Sequence, residues 1–230
     1  MLSLNAVSAW YGEAQALQDL ELRIDVGQVV TLVGRNGAGK TTTLRCIMGL
    51  HRQMHGQVVF DGTEVSAWPP HRRARMGLGY VPDDRGVYAS LSVEENLCLP
   101  PSVGPDAWSL EQVYATFPLL RERRRSAGTK LSGGEQQMLS IARVLRMGAR
   151  LLLLDEPTEG LAPVLVQQIG QVLKDLKSQG MTILLVEQNL RFAANVADRH
   201  YLLVHGSVVE ALSNDQVRAR EGELLQYLGV

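Results

Sequence analysis

The run GRNGAGKTT, beginning at Gly34, constrains the fold of this chain more than any other stretch. It fits G-x-x-x-x-G-K-[ST] at Gly34, Gly39, Lys40 and Thr41. It follows the apolar QVVTLV and precedes the helical pattern TTLRCIMGL, the strand–loop–helix setting in which the motif has a physical meaning. Glycines let backbone N–H groups converge on phosphate oxygens without side-chain obstruction, and the next helix adds the positive end of its dipole. On this reading Arg35, Asn36, Gly37, Ala38 and Thr42 complete the nucleotide cradle. Lys40 reaches the β- and γ-phosphates, and the Thr41 hydroxyl ligates Mg²⁺. The stretch implies a nucleoside triphosphate site.

Short apolar runs supply strands around it: QVVTLVG from Gln28, LGYVP from Leu78, RLLLLDE from Arg150 and MTILLVE from Met181. Helical stretches alternate with them, such as 161–179, with Pro163 near its start and Gly180 where a helix-ending glycine belongs. Continuous apolar strands separated by helices predict an α/β fold, a mostly parallel sheet covered on both faces. Two regions depart from that rhythm. Asp61-Gly62, beside the alternating GQVVF, predicts a turn in some antiparallel sheet. Residues 92–147 lack strand runs and read as helical, with a loop PPSVGPD at 100–106. The expected organisation is one domain over 1–230, with a core from 1–91 and 148–230 that carries the antiparallel annex, and a helical subdomain over 92–147.

LLLLDEP brings the metal chemistry. Asp155 and Glu156 stand at the tip of a buried strand, where adjacent carboxylates are costly without a cation or hydrogen-bond donors. Asp155 suits the shell of Mg²⁺, and Glu156, pointing to the other side of the strand, suits a general base that takes a proton from attacking water. The strand MTILLVE raises a parallel question, because it runs straight into Glu187, Gln188 and Asn189. Either it reaches solvent there or its tip needs hydrogen-bonding groups.

LSGGEQQ, 131–137, separates the families that share such a loop. Ser132 and Glu135 form an S-x-x-E capping box, but a cap does not require two consecutive glycines at a helix start. Bare N–H groups beside a serine hydroxyl at a helix N-terminus make an anion site. With the phosphate loop before it and LLLLDEP after it, the chain resembles the ATP-binding-cassette (ABC) ATPases over nearly its whole length. The resemblance implies a P-loop NTPase with a RecA-like core, ATP and Mg²⁺ as cofactors, and two subunits arranged head to tail. Each ATP would lie between one subunit's phosphate loop and the other's Leu131, Ser132, Gly133, Gly134 and Glu135. It also implies that Tyr11 stacks on adenine, with neighbouring Trp10 the second candidate.

Three positions differ from the commonest ABC pattern. Asp83 stands in place of the usual glutamine after YVP, Ala162 in place of an aspartate within EGLAP, and Gln188 in place of the switch histidine. Asp83 is expected near Mg²⁺ and the attacking water, and Gln188 is expected to donate its amide N–H to the γ-phosphate or that water. YVPDDRGVY, EGLAP and LLVEQN together resemble the ATPase subunits of uptake transporters for branched-chain amino acids, or their urea and amide relatives. That likeness implies two membrane permease subunits, a periplasmic binding protein beyond them, and a peripheral place on the cytoplasmic face of a bacterial inner membrane.

Composition agrees with that picture. With 23 basic and 24 acidic residues, no global field recruits nucleic acid or anionic lipid. The basic clusters 71–75 and 121–125 lack interleaved aromatics and read as solvated helix faces or partner contacts. Two cysteines suit a reducing compartment, no basic-then-apolar leader opens the chain, and no apolar run is long enough to span a membrane. No N-K-x-D guanine motif and no coiled-coil heptads occur, which argues against GTPases and against ABC proteins of chromosome structure.

Overall fold

The structure, a computed structural model, describes residues 1–103 and 107–228. Of the loop expected at 100–106, residues 104–106 therefore lie outside the described residues. One sheet has four strands, β1 (Leu2–Tyr11), β2 (Ala14–Ile24), β4 (Met54–Phe60) and β5 (Thr63–Glu64), all antiparallel in the order β2-β1-β4-β5. The other comprises β3 (Val29–Val33), β6 (Leu78–Val81), β7 (Leu151–Asp155), β8 (Thr182–Glu187), β9 (Arg199–Val204) and β10 (Ser207–Ser213). Its order is β10-β9-β3-β8-β7-β6, parallel throughout except for the antiparallel edge strand β10. The helices are α1 (Lys40–Met48), α2 (Pro70–Arg75), α3 (Val93–Cys98), α4 (Leu110–Thr116), α5 (Pro118–Glu122), α6 (Gly133–Met147), α7 (Pro163–Ser178), α8 (Leu190–Val196), α9 (Asn214–Ala219) and α10 (Glu221–Leu228).

The parallel sheet is buried on both faces, which explains its unbroken apolar strands. Successive side chains point to opposite faces. Leu151 and Leu153 of β7, with Leu184 and Val186 of β8, join the core shared with α1 and the antiparallel sheet. Leu152, Leu154, Ile183 and Leu185 join the core under α6 and α7. The Asp61-Gly62 pair turns β4 into β5 with φ of 49° and 74°, the two left-handed residues that a tight hairpin requires.

One side chain departs from the sequence reading. Arg73, expected on a solvated face, is 1% exposed. Its guanidinium donates to the carbonyls of Cys46 and Ile47 at 2.7 Å each, Ser66 at 2.7 Å and Trp68 at 2.9 Å. Those first two carbonyls lie in the last turn of α1, so burial here is compensated by four hydrogen bonds to backbone carbonyls.

Candidate active site

Four parallel strands end on one edge. In register, Val33 of β3 pairs with Glu187 of β8, Val186 with Asp155 of β7, and Leu154 with Val81 of β6. The chain therefore leaves that edge at Gly34, Glu156, Gln188 and Pro82, with Asp83 next. A ligand crevice outside the carboxyl ends of parallel strands is the usual place for a site in such a sheet.

The loop after β3 has the backbone freedom its glycines promise. A Cβ on Gly34 would sit 2.5 Å from the Leu203 carbonyl oxygen, and Gly39 holds a left-handed φ of 107°. Gly39 is the N-cap of α1 and offers no side-chain cap, so the first N–H groups of that helix stay available to an anion. Arg35, Asn36 and Gly37 are exposed, Ala38 and Thr42 are buried, and an Ala38 N–H to Arg35 carbonyl bond of 3.1 Å closes the turn.

Lys40, only 4% exposed, curls over this loop. Its Nζ donates to the carbonyls of Gly34 at 2.9 Å and Arg35 at 3.1 Å and pairs with Glu156 Oε1 at 2.9 Å. All three ammonium donors are thus engaged. Glu156 itself lies just past β7 in a left-handed φ of 44°, with its N–H bonded to the Val186 carbonyl at 3.0 Å.

Asp155 is fully buried and accepts from the Thr41 hydroxyl at 3.0 Å and the Tyr80 hydroxyl at 3.0 Å. Burial pushes its carboxyl above the ordinary range against those two hydrogen bonds, and the charges of Asp83 and Glu156 push the same way. Tyr80 is shifted upward as well, by burial and by Asp155. Asp83 is exposed and accepts from the Asp84 N–H at 3.0 Å. Gln188 is half-buried and lines a cavity of about 610 Å³ together with Glu156, Thr158 and Asn189.

Ser132 and Glu135 form the expected capping box, with the Ser132 N–H donating to Glu135 at 2.6 Å and the Glu135 N–H donating to Ser132 Oγ at 3.3 Å. Burial opposes ionisation of Glu135, but Ser132 and the Arg123 guanidinium outweigh it and hold its pKa below the ordinary value. Leu131 and Gly134 are buried. A Cβ on Gly134 would lie 2.8 Å from Leu165 of α7, and one on Gly133 would lie 3.2 Å from Leu161 and 3.3 Å from Arg85. The glycines thus have a packing reason in addition to the one read from the sequence. These neighbours all lie outside the phosphate loop.

Tyr11, at the end of β1, is 48% exposed and tilts over His51 at 4.6 Å between ring centroids. The Tyr11 hydroxyl lies beside Arg45 of α1 and raises the pKa of its guanidinium. Trp10 packs its ring against His55 instead. An exposed aromatic beside the helix that follows the phosphate loop is free to stack, and Tyr11 has that position.

Sequence reasoning missed Tyr80 and raised Glu187 without assigning it a partner. Tyr80 stands two residues before Pro82 on a strand adjacent to β7, a signal available only once strand order is known. Glu187 was visible as a carboxylate closing a greasy strand, but its partner could not be read from the sequence. It is 3% exposed and accepts from Thr158.

A phosphate loop between β3 and α1, a buried aspartate on the adjoining threonine and a carboxylate beside the loop lysine define a P-loop nucleotide triphosphatase. Residues 17–159 match the protein-family model described as ABC transporter, and the chain belongs to that family. It is an ATP-binding-cassette ATPase. It is 40% identical over 227 residues to the high-affinity branched-chain amino acid transport ATP-binding protein BraG of Pseudomonas aeruginosa, covering 95% of this chain and 97% of that one. It is 32% identical to the lipopolysaccharide export system ATP-binding protein LptB of Haemophilus influenzae, over 100% of this chain and 97% of the relative. Among solved structures it resembles the dimeric post-hydrolysis state of an ATP-binding cassette bound to ADP and phosphate, with TM-score 0.80, 26% identity, and 93% and 99% of the two chains covered.

Proposed function

We propose that this ATPase is the motor subunit of a bacterial importer for branched-chain amino acids or related small polar solutes such as urea and amides. The observation that carries the reading is the 40% identity to BraG across nearly both whole chains, against 32% to LptB. No helix among the described residues is long and apolar enough to cross a membrane, so membrane work here requires partners. These are a second ATPase subunit and two permeases at the inner membrane, with a periplasmic binding protein on the far side. The helical region 92–147 acts as a subdomain that receives the permeases, while 1–91 and 148–230 hold the nucleotide.

In this reading ATP binds Gly34 through Thr42, with Tyr11 against its adenine and Lys40 drawn toward its phosphates. Glu156, released from Lys40 by the competing phosphate charge, accepts a proton from water. Gln188 holds that water or the γ-phosphate through its amide N–H. Mg²⁺ fits the hard oxygens that meet at Thr41 and Asp155, since a buried carboxyl whose charge is penalised gains most from a cation. Asp83, on the loop after the neighbouring strand β6, is the proposed further oxygen donor, and the ion would neutralise phosphate charge. Ser132, Gly133, Gly134 and Glu135, with Leu131 beneath them, face the nucleotide of the partner subunit and not this chain's own. Closure of two subunits on two ATP molecules drives the permeases, because ATP favours the closed pair.

A second reading, service in an export machine, draws on the likeness to LptB. A strain lacking the gene separates the two. Its uptake of labelled leucine, isoleucine and valine, or of urea and amides, should fall and return with the wild-type gene. Unchanged uptake of every one of these solutes would contradict the proposal.

A further inference from the structure

The carboxylate that closes β8 is not at a solvated strand end. Glu187 is 3% exposed, and Thr158, which faces it, is 8% exposed. Glu187 Oε1 accepts from the Thr158 hydroxyl at 2.7 Å and from the Thr158 N–H at 3.3 Å, while Oε2 accepts from the Asn189 N–H at 3.3 Å. Thr158 sits midway along a tight loop. The Glu159 N–H bonds to the Glu156 carbonyl at 3.1 Å, and the Leu161 N–H to the Thr158 carbonyl at 3.3 Å. One end of that loop carries Glu156, paired with Lys40, and the other carries Leu161, beside Gly133 at the start of α6. Asn189, the third donor, is the N-cap of α8 and accepts from the Phe192 N–H at 3.0 Å. A single carboxylate therefore fastens both loops that flank the reaction edge, one through the hydroxyl and N–H of Thr158, two residues past Glu156, and the other through the N–H of Asn189, next to Gln188.

We propose that Glu187 is a positioning residue for ATP hydrolysis, acting through Thr158 to hold Glu156 and through Asn189 to hold Gln188. It touches neither nucleotide nor water in this assignment. A buried carboxylate aimed at three donors from two loops fixes their separation far better than either loop's own turns would. A strand end that had simply reached the surface would leave the carboxylate in water and Thr158 free. The inference rests on Glu156 and Gln188 having the roles proposed above.

The test compares Glu187→Ala, Glu187→Gln, Thr158→Val, the double variant Glu187→Ala/Thr158→Val and, separately, Glu156→Gln in steady-state hydrolysis by the full chain with its partner subunit. Losing the buried Thr158–Glu187 hydrogen bonds should cost roughly tenfold in kcat for Glu187→Ala and for Thr158→Val. The KM for ATP should stay near wild type, and each variant should remain folded at the assay temperature. Glutamine can keep the Oε1 bonds to Thr158 while placing its amide N–H₂ against the Asn189 N–H, so Glu187→Gln should lose less. The double variant should be no slower than the slower single one, because both remove the same contact. Wild-type kcat in Glu187→Ala would overturn the assignment, and so would additive losses or a fall in kcat matched by loss of ATP affinity and of the folded state. Glu156→Gln reports on the base alone, so its retained activity would sink that role without being mistaken for a failure at Glu187.

Discussion

Lys40 and Glu156 neutralise each other across the mouth of the phosphate loop at 2.9 Å, so the loop cation and the proposed base are in contact with each other. Glu156→Gln should lower turnover by roughly 10²–10⁴-fold, the usual worth of a positioned base, while ATP binding survives. Hydrolysis and nucleotide binding measured on the same preparation check this. Asp83 is exposed yet close enough to raise the pKa of Asp155. Asp83→Ala should raise the Mg²⁺ concentration for half-maximal hydrolysis, and an unchanged requirement would reduce Asp83 to a solvated loop residue. Glu187 makes a prediction about stability. Burial, opposed by its hydrogen bonds from Thr158 and Asn189, pushes its pKa up to about 7 from the ordinary 4.5. Between those values the folded chain holds a proton that the unfolded chain has released. Stability is therefore highest below the unfolded pKa and falls as pH rises toward 7. The stability difference between wild type and Glu187→Gln, followed by urea unfolding, should shrink or reverse in that direction between about pH 5 and 7. A difference that does not move with pH would contradict the burial argument.

At the scale of elements, what could be read from the sequence was what has a periodicity or a special backbone requirement. β3, β6, β7 and β8 announced themselves because both faces of each are buried, and the start of α6 because Ser132 and Glu135 must satisfy its first N–H groups. α7 begins at Pro163, two residues later than the reading of 161–179, since proline is at home in a first helical turn. The antiparallel partners β1 and β2 carry bulges and mixed burial, and their register shifts blur the alternation that would have marked them. Gly79 shows what only packing reveals. A Cβ there would lie 2.0 Å from Val144 and 2.7 Å from Ala149, so β6 and α6 touch through a position with no side chain. Gly79→Ala should destabilise the fold by about 1–3 kcal/mol through overpacking, and Val144→Ala in the same chain should recover part of that loss. Denaturant unfolding of the two variants decides it, and equal stability of wild type and Gly79→Ala would contradict the contact.

For the molecule as a whole, strand order turns separate motifs into one site. Gly34, Asp83, Glu156 and Gln188 are scattered over 155 positions of sequence (188 minus 34, counting both ends) and meet only because β3, β8, β7 and β6 are neighbours running in one direction. Each motif could be recognised in isolation, but the Thr158–Glu187 contact needed a partner 29 residues away that no spacing rule supplies. Gln188→Ala should slow hydrolysis by roughly 10- to 150-fold, the worth of one hydrogen bond to a charged group, with ATP binding nearly intact. A wild-type rate for that variant in the assembled transporter would return Gln188 to the status of a strand end. The site is still half a site in our account, because Gly133 and Gly134 neighbour Arg85, Leu161 and Leu165 and not the phosphate loop of their own chain. Sedimentation of the Glu156→Gln protein, alone and mixed with any second cassette subunit encoded beside it, tests that claim most directly. Mg-ATP should convert single cassettes into pairs, and ADP should not. Single cassettes persisting in both samples at saturating ATP would contradict it.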